Sequence, residues 1–218
     1  MRSGRITCLC LLLLSALCLS GCFDYQERIV LNKDASGTME VDYWKMNNVD
    51  IENKNYSFPA EADDIHREVE RKYTSAKVKL TEFNVTEEKD SQHAHFKVAF
   101  DNILDLNDVE QFQKNKIRFT MSGDKISLER SIYLNNGNGG GNKESDDLFG
   151  KMVQGLVKQG LSNISFRFEI DTPYTINESN ADSRPGKNRA VWKFRLSDVM
   201  DKSDVEMKLK TGDGSAVI

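Results

Sequence analysis

Apolar and polar residues alternate without interruption in Ile164-Ser165-Phe166-Arg167-Phe168-Glu169-Ile170. Side chains along a strand point in turn to opposite faces, so the four apolar residues share one face and the three polar residues share the other. A strand with one apolar and one polar face is typical of an antiparallel sheet covered on one side. This segment therefore predicts a sheet with a packed face and a solvent face.

The same period of two recurs elsewhere, which makes sheet the main component of the fold. It is found in residues 96–100, 117–121, 190–196 and 205–209. In residues 78–85 the pattern changes phase between Leu80 and Phe83, which predicts a β-bulge near Thr81-Glu82. Glycine-containing turns at 32–37, 122–124 and 184–187 each predict a hairpin between flanking strands.

Two segments follow a helical period instead. Apolar residues recur three or four apart in residues 61–73 and in residues 145–159. A shorter helix is expected over residues 107–114. We therefore predict an α+β fold, in which two main helices pack on the apolar face of twisted antiparallel sheet.

The N-terminal residues have the layout of an export signal. Arg2 and Arg5 precede an apolar run over residues 6–19, which is too short to cross roughly 30 Å of hydrocarbon as a helix. The run ends in Leu19-Ser20-Gly21-Cys22, which resembles the lipobox of bacterial lipoproteins. That resemblance implies cleavage before Cys22 and fatty acylation of its sulfur, which would anchor the mature protein to a membrane.

Cysteine usage agrees with lipidation at Cys22. The other three cysteines, Cys8, Cys10 and Cys18, lie in the leader, so the mature chain could form no internal disulfide. A strand-like segment follows Cys22 almost at once, which predicts a domain held close to the membrane. By comparison with enterobacterial lipoproteins, Phe23 in place of Asp favours the outer membrane if the source has two membranes.

The predicted organisation has four parts: a cleaved leader over 1–21, a short lipid tether over 22–24, a single α+β ectodomain over 25–211 and a flexible tail over 212–218. The order strand-strand-helix-strand-strand fits residues 25–100 and again residues 116–196. An internal ββαββ repeat is therefore one interpretation of the ectodomain.

Charge argues against a nucleic-acid partner. The chain has 30 basic and 34 acidic residues, and loss of Arg2 and Arg5 with the leader would take its net charge from −4 to −6. Nucleic-acid binding through bulk charge needs clustered basic residues. The acyl chains on Cys22, rather than electrostatic attraction to anionic lipid, would then hold the protein at the membrane.

No catalytic motif stands out. Neither Gly-x-Ser-x-Gly nor His-Glu-x-x-His is present, and the Asn- and Gly-rich run over 135–142 lacks the Gly-Lys-Ser/Thr of a phosphate loop. His93 and His95 are two apart on a strand and share a face, so they could hold a metal ion or could simply lie on the solvent face. The sequence predicts no metal, no cofactor and no enzymatic activity.

Two residues break the alternating pattern and are the candidate ligand-binding residues. Arg130 falls in phase with Leu128 and Ile132 on an apolar face, as a buried and paired arginine, a bulge or an anion contact would. Trp44 falls in phase with the polar Asp42. Its indole would then lie either in the lipid headgroup zone or beneath a second layer of the fold.

Several segments resemble the signature of one family. The strand over 166–170 that leads to Pro173, the dipeptide Ser179-Asn180 and the strand around Trp192 are similar to the C-terminal part of LppM-type envelope lipoproteins. The opening hairpin over 29–38 is similar as well. The resemblance implies an α+β envelope domain without established catalysis, in a family suspected of binding lipid or glycolipid.

These observations favour a non-enzymatic, lipid-anchored envelope protein that binds a lipid, a glycolipid or a protein partner near the membrane. Two alternatives remain. One is a structural assembly subunit of an envelope complex, and the other is an envelope hydrolase that uses scattered Asp, Glu and His residues.

Overall fold

The computed structural model describes residues 23–46, 61–89, 91–113, 115–133, 164–199, 202 and 204–212. The described strands are β1 (Phe23–Leu31), β2 (Gly37–Met46), β3 (Val78–Glu87), β4 (Ser91–Phe100), β5 (Ile117–Ser122), β6 (Lys125–Tyr133), β7 (Ser165–Asp171), β8 (Ile176–Ser179), β9 (Arg189–Arg195) and β10 (Asp204–Thr211). The described helices are α1 (Ala62–Tyr73), α2 (Leu196–Val199) and two 3₁₀ helices, Ile103–Asp108 and Glu110–Phe112.

The strands form two sheets. The six-stranded sheet has the order β3-β4-β2-β1-β7-β9, and the four-stranded sheet has the order β5-β6-β10-β8. Their apolar faces contribute to a single core, in which Met39, Phe96 and Phe168 of the six-stranded sheet join Leu128 and Met207 of the four-stranded sheet. The α+β class predicted from the sequence is confirmed, with sheet as the dominant component.

One strand pair differs from the predicted antiparallel pattern. β1 and β7 are parallel, with Glu27 opposite Phe168, whereas the other paired strands of both sheets are antiparallel in the described part. Parallel neighbours need a long crossover connection, and β1 and β7 are separated by the whole central part of the chain. Alternation fixes which side chains are buried but is the same for both strand directions.

Helix α1 packs its apolar stripe on the six-stranded sheet. Ile65, Val69 and Tyr73 are buried, and the Tyr73 ring lies 4.7 Å from that of Phe96. Asp63 and Asp64 in the first turn suit the positive end of the helix dipole. The second predicted helix, over 145–159, lies outside the described residues, so packing by two helices stays a prediction.

The turns between strands confirm two of the three predicted hairpins and the bulge. Residues 32–36 join β1 to β2, Gly123-Asp124 joins β5 to β6, and the β3–β4 register shifts between Leu80 and Glu82. The hairpin predicted around 184–187 is wrong as a pairing of its flanking strands. β8 and β9 belong to different sheets, and the turn is crossed by the isolated bridge Ser183–Val191 and by a backbone hydrogen bond from Ile176 to Lys187 at 2.7 Å.

The predicted helix over 107–114 is replaced by the two 3₁₀ helices. The first begins earlier because Asn102 and Asp105 form a capping box. The Asp105 carboxylate accepts the backbone N–H of Asn102 at 2.9 Å, and the Asn102 side chain accepts the backbone N–H of Leu104 at 2.9 Å. The predicted boundaries of the ectodomain, its tail and the ββαββ repeat stay predictions. Residues 25–100 place their four strands in one sheet, whereas strands of 116–196 are divided between both sheets.

Candidate functional site

Trp44 lies on the outer face of the six-stranded sheet, at the end where the chain enters β1. In β2 the odd-numbered Met39, Val41 and Tyr43 are buried, whereas Asp42 and Trp44 are half-buried on the opposite face. Trp44 is opposite Asp24 of β1 and opposite His93 of β4. Trp44 is therefore the cross-strand neighbour of Asp24, which follows Cys22 by two residues in the sequence; Cys22 itself lies outside the described residues.

A polar cluster continues this outer face beyond Trp44. The Asp42 carboxylate lies between two imidazoles, with its Oδ1 3.1 Å from His93 Nε2 and 3.0 Å from His95 Nδ1. The other ring nitrogen of His95 is 3.8 Å from Glu82. We call Trp44, Asp42, His93 and His95 the outer cluster. The side chains of His93, Asp42 and His95 are 44%, 41% and 30% exposed, so a ligand can reach them.

The outer cluster offers hydrogen-bond donors and acceptors. The two histidines do share a face, as their spacing predicts, and the structure adds Asp42 from the neighbouring strand. Within the described ranges, no group of three or more His, Cys, Asp and Glu residues is arranged to hold a metal ion. A half-exposed carboxylate, two imidazoles and an indole suit contact with polar headgroups or sugars.

Arg130 lies on the other side of the six-stranded sheet, in the core between the two sheets. It is 4% exposed, and its two terminal nitrogens bind the two carboxylate oxygens of Glu27 on β1, the second at 3.2 Å. The guanidinium also lies over the ring of Phe112, at 4.5 Å, and near that of Phe168, at 5.5 Å. Its Nε has no hydrogen-bond partner among the described residues.

Two tyrosines complete this inner cluster, which we define as Glu27, Arg130, Tyr25 and Tyr73. The Tyr25 hydroxyl donates to Glu27 Oε2 at 3.2 Å. Burial, with a smaller contribution from the neighbouring phenol and carboxylate, raises the pKa of Tyr25 well above its ordinary value. Burial likewise raises the pKa of Tyr73. The phenols therefore stay neutral, and that of Tyr25 remains able to donate to the Glu27 carboxylate.

Glu27 is the member of the inner cluster that sequence reasoning missed. It alternates in phase with Tyr25, Ile29 and Leu31, which are all buried. A charged residue on this apolar face could therefore have been recognised from the sequence as an exception to the pattern. Arg130 was found by that same signal on β6. The structure brings these two charges together, and any part Arg130 takes in ligand binding remains a prediction.

The segments that carry the family signature join the two sheets. The Trp192 indole of β9 donates to Asn180 Oδ1 at 2.9 Å, and the same oxygen accepts the Lys208 backbone N–H of β10 at 2.8 Å. The Asn180 amide nitrogen donates to the Glu206 carbonyl at 2.8 Å. The Ser-Asn dipeptide and the tryptophan strand are thus parts of one hydrogen-bonded connection between the sheets.

The chain matches a protein family and is similar to a solved structure. A model of the LIC11874-like family matches residues 17–209. A search of curated proteins found no match. The folded domain of Mycobacterium tuberculosis LppM, determined by NMR, is similar at 12% identity, with 87% of this chain and 89% of that chain covered and a TM-score of 0.45. The LppM-type resemblance is thus found again, at a low level of similarity from which no activity follows.

Proposed function

The chain belongs to the LIC11874-like family, and from that premise we propose that it is a non-enzymatic, lipid-anchored protein of the bacterial cell envelope. Its outer cluster would contact lipid or glycolipid headgroups beside the anchor. The observation that carries this proposal is the position of β1, which begins at Phe23, directly after the lipobox cysteine.

Because β1 begins at Phe23, little free chain would separate the proposed anchor at Cys22 from the domain. An extended residue spans at most about 3.6 Å, so acyl chains on Cys22 would hold the first strand within a few ångströms of the headgroups. Two or three acyl chains anchor a protein stably, whereas one does so marginally. In the described part no helix is long and apolar enough to cross a membrane.

The outer cluster supports contact with the membrane surface. Indole rings are favoured at the level of the headgroups, where their apolar body and polar N–H are both accommodated. Trp44 is opposite Asp24, and Asp24 is separated from Cys22 by Phe23 alone. Asp42, His93 and His95 supply hydrogen-bonding groups on the same face. In a source with two membranes, Phe23 after the cysteine favours the outer membrane.

The anchor is tested by mass spectrometry of the protein from its native membrane. We expect an N-terminus at Cys22 that carries diacylglycerol, and we expect Cys22→Ser to move the protein from the membrane to the soluble fraction. An unmodified thiol at Cys22, or an uncleaved leader on the membrane-bound protein, would remove the basis of the proposal.

The orientation is tested by quenching of tryptophan fluorescence with brominated lipids. The chain has two tryptophans, and Trp192 is 4% exposed with its N–H bound to Asn180, so accessible lipid should quench Trp44 alone. We expect strong quenching in the acylated protein and almost none in Trp44→Phe. Quenching that is absent from the parent, or unchanged by the substitution, rules out headgroup contact by the outer cluster.

A further inference from the structure

The outer edge of β5 carries backbone groups that no other described strand uses. Asn107 binds Ile117 from outside the sheet, donating from Nδ2 to its carbonyl at 2.9 Å and accepting its N–H at 2.8 Å. Backbone groups in an antiparallel pair alternate in direction, so Phe119 and Met121 also point theirs away from β6. None of these four groups has a hydrogen-bond partner among the described residues.

The other sheet edges are protected. On β8, Arg184 donates to the carbonyls of Ile176 and Asn177 at 3.2 and 3.3 Å. On β9, Ser183 exchanges two backbone hydrogen bonds with Val191. β3 is interrupted by its bulge. Bulges and covering groups are among the means by which sheets prevent unwanted strand pairing. In the described part β5 has no bulge and is covered at Ile117 alone.

Exposed apolar side chains flank this same edge. The large hydrophobic residues that are exposed in the described part are Met121, at 37%, and Leu104, at 41%. Met121 lies on β5, and Leu104 lies on the first 3₁₀ helix, which packs beside β5. Open backbone groups next to apolar side chains are the two components of recognition by strand addition.

The charges along β5 specify the kind of strand that fits. Arg118 is the charged residue of β5 and is exposed, as are Lys116 just before the strand and Lys125 at the start of β6; Arg118 forms an ion pair with Glu129 of β6 at 3.7 Å. An incoming strand would place side chains opposite Arg118 on the outer face and opposite Phe119 and Met121 on the inner face. Pairing with β5 of a second copy of this chain would bring a second Arg118 and a second Lys116 to the same edge, which like charges oppose.

We propose that β5 is a docking edge for an extended segment of another envelope protein, with alternating apolar and acidic residues, which adds a fifth strand to the four-stranded sheet. Four backbone hydrogen bonds to Phe119 and Met121 supply affinity. Apolar side chains of the segment cover Met121, and its acidic side chains face Arg118. This docking edge is independent of the headgroup contact proposed for the outer cluster.

The test uses the acylated full-length mature protein in detergent micelles and two short acetylated peptides, one alternating Val with Glu and one alternating Val with Lys. We expect the Val/Glu peptide to bind roughly tenfold more tightly, and to slow amide hydrogen exchange at Phe119 and Met121. Equal binding of the two peptides, or unchanged exchange at both amides, overturns the proposal.

Three variants test whether the peptides bind at the β5 edge. Arg118→Glu should reverse the preference between the peptides, whereas Lys210→Glu, the same change on the outer face two strands away, should leave it unchanged. Met121→Pro removes an N–H that the β6 ladder does not use, so it should abolish peptide binding while circular dichroism stays the same. If Met121→Pro does not fold, the peptide preference of Arg118→Glu still tests the proposal. Concentration-dependent dimerisation that Arg118→Glu alters would assign the edge to a second copy instead.

Discussion

The inner and outer clusters lie on opposite faces of the same six-stranded sheet and differ chiefly in exposure. Glu27 of β1 faces the core and is fully engaged by Arg130 and Tyr25. Asp42 of β2 faces outward and is shared by His93 and His95. Asp42 is the cross-strand partner of Gln26, and Gln26 is the residue before Glu27 in β1. The buried carboxylate of Glu27 and the accessible carboxylate of Asp42 are therefore only one register position apart.

This contrast shows what each cluster can do. A buried ion pair is costly to desolvate and gives little net stability, but breaking it is expensive because the remaining charge has no compensation. A half-exposed group is screened by water, contributes little to stability and is free to change partners. The inner cluster is therefore expected to affect stability strongly, and the outer cluster, to which we attribute the proposed headgroup contact, only weakly.

The largest expected effect comes from breaking the inner pair. Arg130→Met leaves the Glu27 carboxylate buried and should lower the free energy of unfolding by about 3–5 kcal/mol. The double variant Glu27→Leu with Arg130→Met removes both charges and should recover most of that loss. Urea unfolding of the three proteins measures both values. If Arg130→Met is as stable as the parent, the Glu27–Arg130 ion pair is not shielded from water.

Alkaline pH should act on the inner cluster next most strongly. Burial raises the folded-state pKa of Tyr25 and Tyr73 above the ordinary value of 10.0, so above pH 10 the unfolded chain releases phenolic protons that the folded chain retains. Their contribution to stability is complete below pH 10 and falls by about 1.4 kcal/mol per pH unit for each phenol as pH rises further.

A pH titration that follows phenolate absorbance and circular dichroism together checks this expectation. The two buried phenols should ionise only as the protein unfolds, and Tyr73→Phe should make the fall in stability less steep. Ionisation of either phenol in the fully folded protein would contradict its burial.

The smallest expected effect comes from the outer cluster. Asp42→Asn removes the shared charge between the two imidazoles but should change the free energy of unfolding by less than about 1 kcal/mol, because all three groups are partly exposed. Urea unfolding beside Arg130→Met gives the comparison directly. If the two substitutions cost the same, the distinction between a sealed and an accessible cluster fails.

Some of this structure could be predicted from local pattern alone. Alternation identified the buried face of β7 and the buried position of Arg130, since a side chain's face depends only on its place in the strand. The change of phase near Thr81 located the bulge by the same argument. Glu27 could have been found in this way, because β1 places it between two buried residues.

Beyond the two confirmed hairpins, strand neighbours could not be predicted, because alternation does not say which strand lies beside which. The parallel pairing of β1 with β7 and the separation of β8 from β9 depend on how the two sheets pack together. The outer cluster needed the same information, since Asp42 meets His93 and His95 only through the β2–β4 register. The hydrogen bonds of Asn180 to Trp192 and Lys208 likewise join strands of different sheets.

The entry of the chain into β1 has a mechanical consequence. β1 is an interior strand, hydrogen-bonded to β2 on one side and to β7 on the other. If acyl chains on Cys22 hold the protein while its body is pulled away, the load runs along β1 and strains both ladders in shear at once. A terminal strand at a sheet edge could be peeled off one hydrogen bond at a time, whereas this arrangement makes many bonds share the force.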